Sequence, residues 1–181
     1  MSGPFALAAV SAVLRRLLTN GLGDVDLSIF GGAANTVTVH PPDLIQTGAN
    51  ELAQLNLYLY RVAPNAALRN QGLASHSATG ERLTNPPLAL DLHYLLMAYG
   101  AHQLYPEALL GYGMQVLHEF PFLSRKFIRD TWLAGVVDPV DRALADSGLA
   151  EQIDSIKITP ETLSTEEMSK LWTAFQAKHR P

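Results

Sequence analysis

The chain has 181 residues, a formal net charge of −4 and no cysteine, and it is 48% hydrophobic but only 17% charged. This length is sufficient for one domain with its own hydrophobic core. The acidic balance gives no electrostatic basis for nucleic-acid binding, and the lack of cysteine excludes disulfides and thiolate metal sites. So few charged residues predict that other chains cover part of the surface.

An apolar stripe at helical spacing predicts a helix over residues 4–19. The stripe consists of Leu7, Val10, Val13 or Leu14, and Leu17 or Leu18. Asn20-Gly21 predicts the end of this helix. Arg15 and Arg16 follow the apolar run rather than precede it, which is not the order of a signal peptide, and no stretch is long enough to span a membrane. These features favour a cytoplasmic protein.

Alternating apolar residues predict strands over 25–30, 36–40, 54–62, 88–97 and 154–159. The two longest are the most regular. Leu55, Leu57 and Leu59 form one face of the first, while Tyr58 and Tyr60 give the other face aromatic rings with polar ends, as on an interfacial surface. In 88–97, the inward face is expected to be Leu88, Leu90, Leu92, Tyr94 and Leu96.

Helices are predicted over 106–120, 139–147 and 164–178, with a further short helix after Pro121. Gly113 lies on or near the packed side of the first, where it would let the helix approach the sheet closely. Ser164 and Glu167 have the spacing of a capping box. Met168, Leu171, Trp172 and Phe175 form the apolar stripe of the last helix. We expect this helix to pack on the leucine face with Trp172 as a core anchor.

Residues 63–87 contain no convincing helix or strand. A connection of about 25 residues is longer than compact domains usually contain. Composition alone favours a surface loop, and the alternative is an arm that becomes ordered against a partner subunit.

Motifs for catalysis and metal binding are largely missing. The six histidines do not occur in a known ligand spacing, and neither a GxSxG motif nor a phosphate-binding loop is present. Asp91 and His93 share one strand face, and His118 ends a helix. These three residues are the only candidates for a small metal-dependent hydrolase. We therefore expect no enzyme activity, no catalytic or metal-binding residues and no cofactor.

Several long blocks resemble the tail-terminator (cap) family of contractile injection systems, the phage-tail-like particles that bacteria assemble. The blocks are LNLYLYRVAPNAALRN at 55–70, LALDLHYLLMAYG at 88–100, LLGYGMQVLHEFP at 109–121 and EEMSKLWTAF at 166–175. They occur in the order of the family and cover most of the chain. In the family, Arg180-Pro181 would lead into one more strand, which this sequence does not contain.

The resemblance implies a structural cap that acts as a ring of subunits, resembling a hexamer, on the tube and sheath. Its partners are then itself and the tube and sheath proteins, with no nucleic acid and no membrane. The protein would be cytoplasmic in the producing bacterium and later part of the particle. The expected contact residues are Asn65, Leu68, Arg69 and Asn70 in the 63–87 arm, together with Tyr58 and Tyr60.

The overall prediction is a single α/β (α+β) domain over 1–181 with a mixed sheet of about four to six strands and packed helices. Besides the metal-dependent hydrolase, one alternative function remains open. It is an adaptor that binds a peptide along an open sheet edge.

Overall fold

The main sheet is built on two long strands that carry the leucine blocks of the sequence. The structure, a computed structural model, describes residues 5–23, 36–48, 51–68, 77–83, 88–133, 142, 144–151 and 155–176. The elements are α1 (Ala6–Gly23), β1 (Thr36–Thr38), β2 (Gln54–Pro64), β3 (Leu90–Tyr99), α2 (Tyr105–Glu119), β4 (Phe122–Leu123), α3 (Arg125–Leu133), β5 (Ile156–Lys157) and α4 (Thr165–Gln176). Short 3-10 turns lie at Pro42–Leu44 and Leu149–Glu151. The predicted mixed α/β class is confirmed.

The strands of the described residues form two sheets instead of the one that was predicted. The larger has the order β1-β2-β3, with β1 parallel and β3 antiparallel to β2, and the smaller pairs β4 with β5. Three of the predicted strands are shorter or shifted in the structure. The 36–40 and 154–159 predictions reduce to β1 and β5, and β3 begins at Leu90 instead of residue 88. The predicted strand 25–30 lies outside the described residues.

The leucine face of β2 and β3 forms the core, as the alternation predicts. Leu55 lies opposite Ala98 and Leu57 opposite Leu96, and both β2 leucines are buried. Helices α1 and α2 pack on this face. Leu88 is an exception, because it precedes the first paired residue of β3 and is 76% exposed.

The first helix does not stop at Asn20-Gly21, contrary to prediction, but continues to Gly23. A Cβ atom on Gly21 would lie 2.5 Å from Cγ2 of Val116 in α2, so the glycine allows close helix contact. Leu22, one residue further, is buried in the core. Packing of the last turn of α1 therefore outweighs the local stop signal.

The predicted close approach of α2 to the sheet is confirmed. Pro106 lies in the first turn of the helix, and a Cβ on Gly113 would lie 2.7 Å from Cδ2 of Leu55. At Gly111, two residues earlier on α2, a Cβ would meet no atom within 4 Å. The two glycines thus lie on the same helix, but Gly113 is packed against the sheet and Gly111 is not.

The last helix lies on the opposite face of the main sheet from α1 and α2, so its predicted packing is wrong. The ring of Phe175 contacts Tyr58, whose side chain points away from the leucine face, at a centroid distance of 5.7 Å. Trp172 is not a core anchor, since it is 44% exposed. The predicted capping box is confirmed: Ser164 Oγ accepts from the Glu167 backbone N–H, and the Glu167 carboxylate accepts from the Ser164 N–H. The Ser164 hydroxyl also donates to Oε2 of Glu167, and this bond, followed by the one from the Ser164 N–H, lowers the pKa of the Glu167 carboxyl.

The remaining predicted helices differ in how much of them is described. The short helix expected after Pro121 corresponds to α3 and is confirmed. The predicted helix over 139–147 falls largely outside the described residues, although residues 142, 144 and 145 are helical.

A buried asparagine on β2 ends the pairing of the first strand. Asn56 is 0% exposed and lies opposite Thr38, the last residue of β1. Its side-chain Nδ2 donates to the His40 carbonyl at 2.9 Å, and its Oδ1 accepts from the His40 N–H at 3.0 Å. Thr38 Oγ1 donates to the same Oδ1 at 2.9 Å. The amide therefore replaces the next step of the β1–β2 ladder, and the chain leaves the sheet at Pro41.

We expect Asn56→Ala to lower the free energy of unfolding by about 1–3 kcal/mol, because both backbone groups of His40 lose their partner. Urea denaturation gives this value from the midpoint at an unchanged slope. Asn20→Ala, at an exposed position of α1, is the matched control and should be nearly neutral. A loss below about 0.5 kcal/mol for Asn56→Ala, the range of surface substitutions, would contradict the role of the amide.

The glycine pair of α2 gives a second stability prediction. Gly111→Ala should raise the free energy of unfolding by about 0.5–1 kcal/mol through helix propensity. Gly113→Ala gains the same propensity but places a methyl group against Leu55, and overpacking of this kind typically costs about 1–3 kcal/mol. Thermal melts should therefore shift in opposite directions, and a rise for both variants would show that Leu55 can move aside.

Candidate assembly surface

The face of the main sheet opposite α1 and α2 carries most of the residues expected at a contact, and is called the second face below. Asn56 and Met97 are opposite each other on it, followed by Tyr58 and Leu95. Met97 is buried, while Tyr58 and Leu95 are half-buried. Among the described parts of the chain, the segment that leads into α4 and α4 itself contact this face, and so does the main chain of His40 at Asn56.

Three aromatic rings lead from the second face to solvent. Tyr58 contacts Phe175 edge-on at a centroid distance of 5.7 Å, and Phe175 contacts Trp172 in the same way at 5.9 Å. Such edge-to-face pairs contribute about 0.5–1.5 kcal/mol beyond the area they bury. The exposed ring at the end of this series is Trp172, and Met168, one turn earlier on α4, is 36% exposed. Half of the apolar stripe of α4 is therefore uncovered in the single chain.

Tyr60 occupies an irregular position in the strand. The β2–β3 register shifts between Leu59 and Arg61, so Tyr60 has no cross-strand partner. Its ring lies 6.0 Å from the His93 ring, centroid to centroid. Burial, and then the nearby Glu161 carboxylate, raise the pKa of the Tyr60 hydroxyl above its ordinary value. A tyrosine hydroxyl is neutral at neutral pH in any case, so Tyr60 can act as a hydrogen-bond donor on a contact surface.

A histidine–carboxylate pair joins the segment before α4 to the sheet. His93 Nδ1 lies 2.8 Å from Oε2 of Glu161, with the histidine side chain 19% exposed and the glutamate more than half exposed. The sequence places these residues far apart and gives no signal for the pair. Together with the Tyr58–Phe175 contact, it holds the C-terminal part of the described chain on the second face.

The expected contact residues at the end of β2 are engaged within the chain. Asn65 Nδ2 donates to the Asp91 carboxylate at 2.8 Å, and Asn65 Oδ1 accepts from the Leu68 backbone N–H at 3.0 Å. Asn65 also extends the ladder, since its N–H donates to the Ala89 carbonyl. The side chain thus forms a turn that directs the chain into the 63–87 arm. Arg69 and Asn70 lie outside the described residues.

The structure does not assemble the three residues considered for a hydrolase. Asp91 and His93 lie on the second face, where Asn65 and Glu161 respectively bind them. His118 is exposed on α2, which packs on the other side of the sheet. In the described part of the chain, no group of three or more His, Asp or Glu residues is placed to hold a metal ion.

These observations define a mixed α/β chain with an exposed aromatic surface on its last described helix. The model of the Pvc16 N-terminal domain matches residues 9–181, and the chain belongs to this family. The family is associated with contractile injection systems, which agrees with the particle class that the sequence blocks resemble. A comparison with curated proteins found no match. None of the helices in the described ranges has the length and apolar character needed to cross a membrane.

We expect Phe175→Ala to loosen α4 without unfolding the main sheet, since Phe175 is the ring that joins this helix to Tyr58. Amide hydrogen exchange should become faster in residues 165–176 and stay unchanged in β2 and β3. Lys170→Ala, on the exposed side of the same helix, is the matched control. Equal exchange in the wild type and in Phe175→Ala would mean that other contacts hold the helix.

Proposed function

We propose that the protein is a tail terminator that ends the tube and sheath of a contractile injection particle as a hexameric ring. The observation that carries this proposal is the match to the Pvc16 N-terminal domain family over residues 9–181, which is nearly the whole chain. The low charge and the exposed apolar side chains support it, because such a surface is expected to be covered by other chains. The particle would be assembled in the cytoplasm of the producing bacterium.

The mechanism of termination is steric. In a closed ring, each subunit contacts its two neighbours through two different patches and the last layer of tube or sheath through a third. That third contact covers the edge that would otherwise accept another layer. A subunit with this role needs three separate contact surfaces but neither a nucleophile nor a metal ion.

The contact between subunits is assigned to the surface around α4. Met168 and Trp172 are exposed there, Tyr58 contacts Phe175 of the same helix, and Tyr60 lies next to His93 on the second face. Large aromatic side chains that lose their remaining solvent exposure commonly dominate the energy of an interface. The 63–87 arm follows β2 in the chain, and we assign its residues Asn65, Leu68, Arg69 and Asn70 to the same contact.

The test is the length of particles assembled with and without this protein. The tube and sheath proteins of the same particle are co-expressed with the wild-type chain, or without it, and the particles are measured by electron microscopy. We expect uniform particles with a density at one end when the chain is present, and long particles of variable length when it is absent. Equal length distributions in both preparations would refute the terminator role.

A single substitution tests the subunit contact separately. Trp172→Ala should leave the monomer folded, because nearly half of the side chain is already exposed, but should shift the mass in solution from ring to monomer. Light scattering measures the mass, and circular dichroism confirms the fold. Lys170→Ala, two residues away on the same helix, should keep the ring. Intact rings for Trp172→Ala would place the subunit contact elsewhere.

A further inference from the structure

A cleft of about 480 Å³ lies between α1 and the edge of β2. Its lining residues are Ala8, Ser11, Ala12 and Arg15 of α1, Leu57, Tyr58 and Leu59 of β2, and Val39, Pro41 and Leu144. The volume is within the range of about 300–1,000 Å³ found for binding sites. The cleft is distinct from the surface around α4, although Tyr58 reaches both.

The cleft borders β2 on the side of the sheet that α1 covers. The side chains of Leu57 and Leu59 point to this side, and Tyr58, between them, also lines the cleft. The cleft thus runs along residues 57–59 of β2. A molecule in it can reach the main-chain N–H and C=O groups of these residues where the strand has no neighbour.

This stretch of edge has no strand partner in the described part of the chain. The β1–β2 pairing ends at Thr38 opposite Asn56, where the Asn56 amide binds the main chain of His40. Pro41 then takes the chain away from the sheet and cannot donate a ladder hydrogen bond. From Leu57 onward, the described residues leave this side of β2 open. An open edge of this kind pairs readily with an extended peptide.

The chemistry of the walls limits what such a peptide can be. Arg15 is exposed at the cleft, and no carboxylate of the described residues forms an ion pair with it. Most of the other lining side chains are apolar. Ala8 and Ala12 have short side chains, which leaves room for larger side chains of a ligand. Charge complementarity therefore favours a ligand that combines apolar side chains with a carboxylate.

We propose that this cleft binds an extended segment of a partner protein, which adds as a strand to the edge of β2 at residues 57–59. Alternate side chains of the segment are apolar and enter the cleft, and one carboxylate pairs with Arg15. This inference goes beyond the proposed function and is independent of it, since a peptide can occupy the edge whether or not the protein forms a ring.

The test uses a fluorescein-labelled peptide, Thr-Val-Thr-Glu-Thr-Val, whose Val and Glu side chains lie on the same face of an extended strand, and fluorescence polarisation with the full chain. One control peptide has Lys in place of Glu, and another has Pro in place of the central Thr. The Glu peptide should bind about tenfold more tightly than the Lys peptide, as loss of a paired charge implies. The Pro peptide should not saturate, because proline cannot donate to the ladder.

Protein variants then locate the binding site. Arg15→Glu should reverse the preference between the Glu and Lys peptides, whereas Arg82→Glu, the same charge change at an exposed position outside the cleft, should not. Ala12→Phe should fill the cleft and abolish binding of both peptides. On binding of the Glu peptide, hydrogen exchange should slow at those amides of residues 57–59 that do not donate to β3.

Several results would overturn the proposal. These are no saturable binding of the Glu peptide up to about 1 mM, equal affinity for the Glu and Pro peptides, or an unchanged preference in Arg15→Glu. A change of oligomeric state in Ala12→Phe would show that a second copy of this chain occupies the edge, and would likewise overturn it. None of these binding measurements depends on particle length, which tests the terminator role, so the two proposals can fail separately.

Discussion

The rest of the structure depends on the register between β2 and β3. Leu57 pairs with Leu96 and Leu55 with Ala98, which places the small and branched apolar side chains of both strands on one face. Helix α2 can approach this face closely because Gly113 lies over Leu55. A shift of β3 by one residue would turn its apolar side chains to the other face, and α1 and α2 would lose that part of the surface on which they pack.

The same register determines what remains on the second face. Tyr58 has to point away from the core once Leu57 and Leu59 point into it, and its ring then becomes the contact for Phe175. The register between β2 and β3 shifts at Tyr60, near one end of β2, and His93 and Glu161 are in contact at that end. A single helix lies over this face and leaves Trp172 exposed, so the surface assigned to subunit contact follows from the core pairing.

The features predicted correctly from the sequence are those that depend on neighbouring residues. Alternation identified β2 and most of β3, and the Ser164–Glu167 spacing identified the start of α4, because both patterns act within a few residues. Tyr58 was rightly distinguished from the leucine face, although its partner was not foreseen. The errors at α1 and α4 involve distant contacts. The local sequence predicts a helix end at Gly21, but packing against Val116 continues the helix. It predicts a core position for Trp172, but Phe175 is the ring that contacts the sheet. No local pattern in the sequence indicates the Asn56–His40 hydrogen bonds or the His93–Glu161 pair.

Asn56 connects the core with the open edge of β2. A buried amide in a sheet is stable only when its donors and acceptors are paired, and here the main chain of His40 supplies the partners. That pairing takes the place of a further ladder step, so β1 cannot continue along β2. With an apolar residue at position 56, the main chain of His40 would lose the two hydrogen bonds that take the place of the ladder there. The edge beside Arg15, which the described residues leave open, is therefore a consequence of how one buried polar group is satisfied. Trp172 lies on α4, over the second face, and plays no part in this pairing. The proposed subunit contact and the proposed peptide site thus rest on different interactions, so one chain can hold a neighbouring subunit and a partner segment together.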